Sequence, residues 1–341
     1  MRKLFVTGGA GFIGSAFIRL ALAELPTCEI TNFDALTYAG NPDNLAGLDE
    51  SRHRFVRGDI ADREAVFGAL RTGADVIINF AAETHVDRSI KDAAAFLRAN
   101  ITGTQVLLDA AREMRVQRFV QVSTDEVMGS LPEDDDAAFF TEVTPLDPKN
   151  PYSATKAAAE HLVNAAQHTH QLDTVITRCG NNYGPRQFPE KLIPLLISNA
   201  LEDQTIPVYG DGRNVRDWIY VEDHARAVLL AMMKGATGAV YNIGARNERR
   251  NLEVVQSILT ALGKPHSLIR FVTDRPGHDR RYAIDPSKAE RELDWRPLET
   301  WESGIRKTIN WYEENAEWIA RARSGAYREY YARHYGAEIL T

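Results

Sequence analysis

Glycines at positions 8, 11 and 14, lying between an apolar run at residues 3–7 and a helical pattern at 12–25, constrain this chain more tightly than any other feature. Strand, glycine turn and helix in that order make the first half of a βαβ unit. Glycine permits both the tight turn and a close backbone approach where the helix begins. The bare N–H groups of that helix end are a ready site for a pyrophosphate. A glycine turn without a ligand has the same spacing, so the flanking residues decide. Asp34 ends the next apolar run, twenty positions after Gly14, where a carboxylate accepts hydrogen bonds from a ribose diol. Its charge repels a 2′-phosphate and no arginine follows it directly, so NAD is preferred to NADP as the cofactor. Asp59 and Ile60, after the third run, are expected at the adenine edge. Ala81 and Ala82, after the fourth, are expected along the phosphate path.

The first half of the sequence continues the same alternation. Residues 3–7, 28–33, 54–57, 76–80 and 118–123 read as buried strands, and 12–25, 64–70 and 93–114 as helices between them. Such a series gives right-handed crossovers and a parallel sheet covered on both faces. A helix is expected over 152–169 and a strand over 174–179. Beyond Gly184 and Pro185 the pattern loosens, with strands expected at 206–209 and 239–243 and helices at 221–233, 252–262 and 301–319. The fold class is therefore α/β: a Rossmann-type doubly wound parallel sheet over residues 1–180, partly interleaved with later segments. A smaller mixed α/β substrate lobe follows over 181–330, and then a tail over 331–341.

A net charge of −7 argues against general affinity for nucleic acid or anionic membranes, so an anionic ligand needs local positive groups or backbone donors. No apolar stretch approaches the roughly 18 residues of a membrane span, and no signal peptide is visible. Two cysteines, Cys28 and Cys179, both in strand-like runs, suggest neither a disulfide framework nor a metal site and fit a reducing cytoplasm. The acidic run at residues 133–136 reads as a solvated loop, and His168 and His170 as a helix end.

Tyr152 and Lys156 stand at i and i+4, on one face of a helix. A phenol titrates near pH 10 by itself, and a neighbouring ammonium together with a cationic nicotinamide is expected to lower that value. The pair can then take the proton of a sugar hydroxyl while hydride leaves for the cofactor. The Tyr-x-x-x-Lys spacing alone is common and equally fits a packed tyrosine beside an exposed lysine. Thr124, Asp125 and Glu126 close the fifth strand. Ligands of open α/β sheets bind beyond the carboxyl ends of strands, so one hydroxyl and two carboxyls are expected in the crevice. Environments that separate two carboxyl pKa values divide them into an acid and a base.

The glycine turn, the Tyr152/Lys156 pair and the strands between them resemble the extended short-chain dehydrogenase/reductase superfamily. Within it, longer strings resemble the dTDP-glucose 4,6-dehydratases: Leu36-Thr37-Tyr38-Ala39-Gly40-Asn41, Ala81-Ala82-Glu83-Thr84-His85-Val86-Asp87-Arg88-Ser89, Ser123-Thr124-Asp125-Glu126-Val127, Asn181-Asn182-Tyr183-Gly184-Pro185, Phe188-Pro189-Glu190-Lys191-Leu192-Ile193-Pro194 and Asp274-Arg275-Pro276-Gly277-His278-Asp279-Arg280-Arg281-Tyr282. The likeness runs from near Met1 to about Tyr327. It implies a lyase in which Tyr152, tuned by Lys156, deprotonates the C4 hydroxyl of dTDP-glucose as hydride passes to NAD. Thr124 then bonds the same oxygen, Glu126 removes the C5 proton, Asp125 protonates the departing C6 hydroxyl, and hydride returns to C6. It adds Phe12, Ile13, Asn100 and Asn182, with Tyr152 and Lys156, to the cofactor set. It also puts His85, Thr124, Asn181, Lys191, Leu192, Pro207, Tyr209, Arg216, Asn251, Arg275 and His278 around the sugar nucleotide, and implies a homodimer pairing the helices at 93–114 and 152–169 across a two-fold axis.

Three positions depart from the pattern: Met128 for a usual tyrosine, Ala35 for a lysine and Gly180 for a serine. Two other readings stay open. A 4-epimerase, or a dehydratase of another nucleotide sugar, shares the Tyr/Lys pair, although an epimerase has no use for Asp125 and Glu126. An idle NAD-binding scaffold needs none of the five reacting side chains.

Overall fold

The structure, a computed structural model, describes residues 2–274 and 278–323. In chain order its elements are β1 (Lys3–Thr7), α1 (Phe12–Glu24), β2 (Glu29–Asp34), β3 (His53–Arg57), α2 (Arg63–Leu70), β4 (Val76–Asn79), α3 (Val86–Lys91), α4 (Ala94–Phe96), α5 (Thr104–Glu113), β5 (Arg118–Thr124), α6 (Pro151–His170), β6 (Thr174–Cys179) and β7 (Asn181–Tyr183). They continue with α7 (Leu192–Leu201), β8 (Ile206–Tyr209), β9 (Val215–Tyr220), α8 (Val221–Lys234), β10 (Ala239–Ile243), β11 (Glu248–Arg250), α9 (Asn251–Ala261), β12 (Ile269–Val272), α10 (Ser287–Leu293), α11 (Trp301–Glu314) and α12 (Ala316–Ala322).

Seven strands form one sheet in the order β10-β6-β5-β4-β1-β2-β3, every neighbouring pair parallel. The chain starts at β1, builds outward to β3, then crosses to β4 on the other side of β1. The order therefore reverses between β1 and β4, and a crevice opens there at the strand carboxyl ends. Successive strand residues point to opposite faces, so a sheet covered twice needs apolar side chains at both parities. Phe5, Ile77, Phe119 and Ile176 accordingly pack with Leu107, Leu108 and Val163 of α5 and α6. Leu4, Val6, Ile78 and Val120 pack with Phe17 and Ile18 of α1 and with Val228 and Met232 of α8.

The sheet thus takes its seventh strand, β10, and a covering helix, α8, from the second half of the chain. Of the remaining later elements, β7, α7, β8, β9, α9, α11 and α12 close around an aromatic core of Tyr183, Trp218, Trp301, Tyr312 and Trp318, while α10 packs on α8 and β10. Sequence periodicity missed β7, β9, β11 and β12. In β9 the buried Arg216 and Asp217 interrupt the apolar run, and β7 and β11 have three residues each. The helix expected at 93–114 is α4 and α5 joined by a π-helical segment, Leu97–Gly103. Gly103 belongs there because a Cβ would come within 2.5 Å of Ile60. The helix expected at 301–319 breaks at Asn315, between α11 and α12.

Both cysteines are free and buried; Cys28 precedes β2 and Cys179 closes β6. The run at 133–136 is exposed, and His168 and His170 end α6. Among the described residues no helix is long and apolar enough to cross a membrane, and no cluster of His, Cys, Asp or Glu could hold a metal ion. The expected tail at 331–341 lies outside the described residues.

Candidate active site

A cleft of about 490 Å³ opens at the carboxyl ends of β1, β4, β5 and β6. Its floor is the glycine turn. Gly8 has φ +69°, and a Cβ on it would lie 2.6 Å from the Ala81 nitrogen; one on Gly14 would lie 2.3 Å from the Gly8 carbonyl oxygen. Neither position has room for a side chain. The N-cap of α1 is Gly11, which offers no side-chain acceptor, so the N–H groups at that end keep their bonding capacity beside Phe12, Ile13 and Gly14 on the cleft wall.

Asp34 lines the same cleft, its Oδ2 accepting from the Ala10 N–H at 2.9 Å and its Oδ1 from the Leu36 N–H at 2.8 Å. Burial raises the carboxyl's pKa, against the pull of those two bonds. Asp59, Ile60, Ala81 and Ala82 complete the wall. Arg98, which sequence reasoning did not single out, also lines it and donates to Asp59 Oδ2 at 2.9 Å. The bare helix end, the absence of side chains at the turn and a carboxylate at the ribose position together fit a dinucleotide.

Asn100, expected in the cofactor set, does not line this cleft. Its amide accepts from the Glu83 N–H at 2.9 Å and donates to the Glu83 carbonyl and to Thr155 Oγ1. It lies behind the wall and fixes the loop that carries Ala81 to Glu83.

At the other end of the cleft, a 3₁₀ turn over Asp125–Met128 follows β5 directly, with Thr124 as its N-cap. The Thr124 hydroxyl accepts from the Glu126 N–H at 3.3 Å and reaches Asp125 Oδ1 at 3.2 Å. Asp125 is 2% exposed, and its Oδ2 has no hydrogen-bond partner. Burial raises its pKa well above the usual carboxylate range, and the neighbouring Glu126 adds to the effect. Both effects favour the neutral form of Asp125. Glu126, on the same turn, is half-buried on the cleft wall.

Tyr152 and Lys156 enter from the first turns of α6. That helix starts with Pro151 after an Asn150/Ser153 capping box, and the Tyr152 N–H donates to Ser89 Oγ at 3.2 Å. The Lys156 ammonium donates to the Val122 carbonyl at 2.7 Å, and burial lowers its pKa to about 8. The expected lowering of the phenol's pKa depends on a cationic nicotinamide as well as the ammonium, and the protein by itself pulls the other way. Burial raises the Tyr152 pKa well above 10, and Glu126 raises it further; Thr124, within hydrogen-bonding reach, pulls the other way. Without a cationic ligand, the buried phenol stays protonated. Cys179 lines the wall beside this group, and burial pushes its thiol up to about 12. The sequence had read it as a strand residue alone.

Of the substrate residues expected from sequence, Asn181 and Lys191 line the cleft with Thr124, and the Lys191 ammonium donates to the Thr84 carbonyl at 3.3 Å. Asn182, from the cofactor set, lines it too. His85 does not line it: the residues exposed there are Glu83 and Thr84, while His85 Nε2 turns to Glu190 at 3.7 Å in a buried group with Arg88. Leu192, Pro207, Tyr209, Arg216, Asn251 and His278 also stand away from the cleft wall. Arg216 is 5% exposed, and its guanidinium donates to the Val215 and Asp279 carbonyls at 2.7 and 2.8 Å while stacking on Tyr282 at 4.2 Å. A buried guanidinium must find acceptors, and these backbone oxygens supply them. Tyr209 and His278 do meet, ring centroids 6.2 Å apart, with His278 Nδ1 2.6 Å from Asp274. Arg275 lies outside the described residues.

The three departures resolve differently. Met128 packs with Phe140, Ala157 and Tyr282 off the wall, its sulfur 3.6 Å from Arg178 Nη1. Ala35 lines the cleft. Gly180 is required by its neighbour, since a Cβ would stand 2.7 Å from the Asp217 carbonyl oxygen.

A family model described as GDP-mannose 4,6 dehydratase matches residues 5–308. A dTDP-glucose 4,6-dehydratase of Salmonella typhimurium is 47% identical, over 98% of this chain and 99% of the relative. The crystal structure of a dTDP-glucose 4,6-dehydratase from Streptomyces venezuelae with NAD bound has a TM-score of 0.90 at 47% identity, covering 94% of this chain and 99% of that one. A UDP-glucose 4-epimerase from Thermus thermophilus in complex with NAD has a TM-score of 0.85 at 31% identity, covering 92% and 99%.

Proposed function

We propose that this chain, which belongs to the GDP-mannose 4,6 dehydratase family, converts dTDP-glucose to dTDP-4-keto-6-deoxy-glucose with NAD as a retained cofactor. The observation that carries the reading is the adjacent pair Asp125 and Glu126 in the cleft that holds Tyr152, with Asp125 buried so that its neutral form is favoured. An epimerase, whose fold this chain also shares, has no use for a second acid and base.

The chain's own groups divide the work as follows. Tyr152 takes the proton of the C4 hydroxyl, and Thr124 hydrogen-bonds the same oxygen as charge develops on it. Lys156, one turn further along α6, keeps a positive charge near the phenol below about pH 8. Bound NAD supplies the C4 hydride acceptor, a positive charge that favours the phenolate, and the hydride returned to C6. A ketone at C4 makes the C5 hydrogen acidic, and Glu126 removes it. Asp125 gives its proton to the C6 hydroxyl, which leaves as water, and when hydride adds to C6 a proton is returned to C5. The net reaction is a dehydration.

Residues 1–180, completed by β10 and α8, hold the cofactor, and residues 181–330 bind the sugar nucleotide. We assign Tyr209, Arg216, Asn251, Arg275 and His278 to the nucleotide end of the substrate from the family resemblance, where arginine suits a diphosphate. We further infer a cytoplasmic homodimer pairing α5 and α6 with their copies; a light-scattering mass of one chain at micromolar concentration would refute the dimer. The function itself is tested by incubating the purified protein with dTDP-glucose and weighing the product. Loss of one water supports the dehydratase. An unchanged mass with inverted C4 indicates an epimerase, and bound NAD without turnover on any nucleotide sugar indicates a scaffold.

A further inference from the structure

His224 of α8 lies entirely inside the protein, on the far side of the cleft wall, with no role in any proton transfer described above. Its Nδ1 is 2.9 Å from Asn182 Oδ1. The other end of that amide is fully committed, since Asn182 Nδ2 donates to the Gly180 carbonyl at 3.0 Å and approaches Cys179 Sγ at 3.5 Å. Those acceptors decide which end of the amide is nitrogen, so the atom facing His224 is an oxygen. An oxygen accepts; His224 must therefore carry its proton on Nδ1. Its Nε2 is then a bare lone pair, and that atom is indeed buried with no hydrogen-bond partner.

We propose that His224 is a positioning residue that locks Asn182, and through it the Cys179–Asn182 stretch of the wall, at the reacting end of the cofactor site. Both Asn182 and Cys179 line the cleft with Asp125, Tyr152 and Lys156. Cys179 Sγ also lies 3.4 Å from the Ser123 carbonyl, next to Thr124 and Asp125 at the end of β5. Without a donor from α8, Asn182 Nδ2 keeps its two contacts but Oδ1 is left buried with no donor. Turning the amide over would only set that oxygen against the Gly180 carbonyl, so the Cys179–Asn182 stretch must shift to recover a partner. His224 suits this task because its deep burial holds the ring neutral, so the bond does not switch with pH.

The inference rests on the NAD site of the proposed function, and two measurements separate its failure from failure of that reading. The first is ¹⁵N NMR of histidine-labelled protein, with the His224 signal identified among nine histidines by its loss in His224→Asn. A neutral Nδ1–H tautomer, unchanged from pH 5.5 to 8.5, is expected on the order of the usual histidine range. An Nε2–H tautomer, or a titration in that range, overturns the proposal.

The second is NAD affinity, measured by calorimetry on protein stripped of nucleotide. His224→Leu, which removes the donor, should weaken NAD binding about tenfold. His224→Asn places an amide nitrogen where Nδ1 was and should restore most of it. Equal NAD affinity in wild type and His224→Leu overturns the proposal, as does equal weakening in both variants. Should His224→Leu not fold, the tautomer decides. Neither readout requires turnover of any sugar nucleotide, so a wrong substrate assignment leaves both intact.

Discussion

Arg178 of β6 forks onto Glu160 of α6, its Nη2 2.7 Å from Oε2 and its Nε 3.1 Å from both carboxylate oxygens, where the two side chains are 6% and 0% exposed. This ion pair fastens α6, which carries Tyr152 and Lys156, to β6, which ends in Cys179. Removing one member leaves the other charged and buried. Glu160→Ala is therefore expected to cost about 3–5 kcal/mol of stability, read from urea denaturation. A loss below about 1 kcal/mol would mean that water reaches the arginine.

Asp125 is predicted to act only after C4 oxidation. Asp125→Asn should lower kcat by about 10²–10⁴-fold while leaving the first hydride transfer in place. Reduced cofactor should then accumulate on the enzyme after dTDP-glucose is added, visible as nicotinamide absorbance. No accumulation, with kcat equally low, would assign Asp125 to the first step instead.

Burial lowers the Lys156 pKa to about 8 from an ordinary 10.5. Activity that depends on its charge should fall as pH rises through about 8. The stability consequence has the opposite slope. Between about 8 and 10.5 the unfolded chain holds a proton on this lysine that the native chain has released. Its contribution to stability therefore increases with pH across that window. Comparing wild type with Lys156→Met by urea denaturation at several pH values checks the sign: the lysine protein should gain on the methionine variant as pH rises.

Gly180→Ser should destabilise this chain by about 1–3 kcal/mol, because the new Cβ would be driven onto the Asp217 carbonyl oxygen at 2.7 Å. A neutral thermal melt would show that β9 yields easily at that point.

Much of this was legible in the sequence because it is local. The glycine turn, the buried strands of the main sheet and the i, i+4 relation of Tyr152 and Lys156 all follow from short spacings. What was missed depends on contacts distant in the chain. Arg98 reaches Asp59 across 39 positions, His224 reaches Asn182 across 42, and β10 joins β6 as its parallel partner. Spacing shows the lysine one turn from the phenol, but not that its ammonium is drawn to the Val122 carbonyl while burial and Glu126 raise the tyrosine in the protein alone. His85 was expected at the substrate from resemblance and its loop position, but its Nε2 stands 3.7 Å from the buried Glu190, a contact 105 positions away that sequence spacing does not show. β9 escaped notice because buried Arg216 and Asp217, satisfied by backbone partners, look in sequence like surface charges.

The central claim is that two adjacent carboxyls at the end of β5 turn an oxidising site into an eliminating one. Turnover of dTDP-glucose in deuterated water tests it most directly. The account predicts a product lighter by one water and carrying one solvent deuteron at C5, because Glu126 removes that hydrogen and the solvent replaces it. A dehydrated product with no deuterium at C5, or a product that keeps its water, would contradict it.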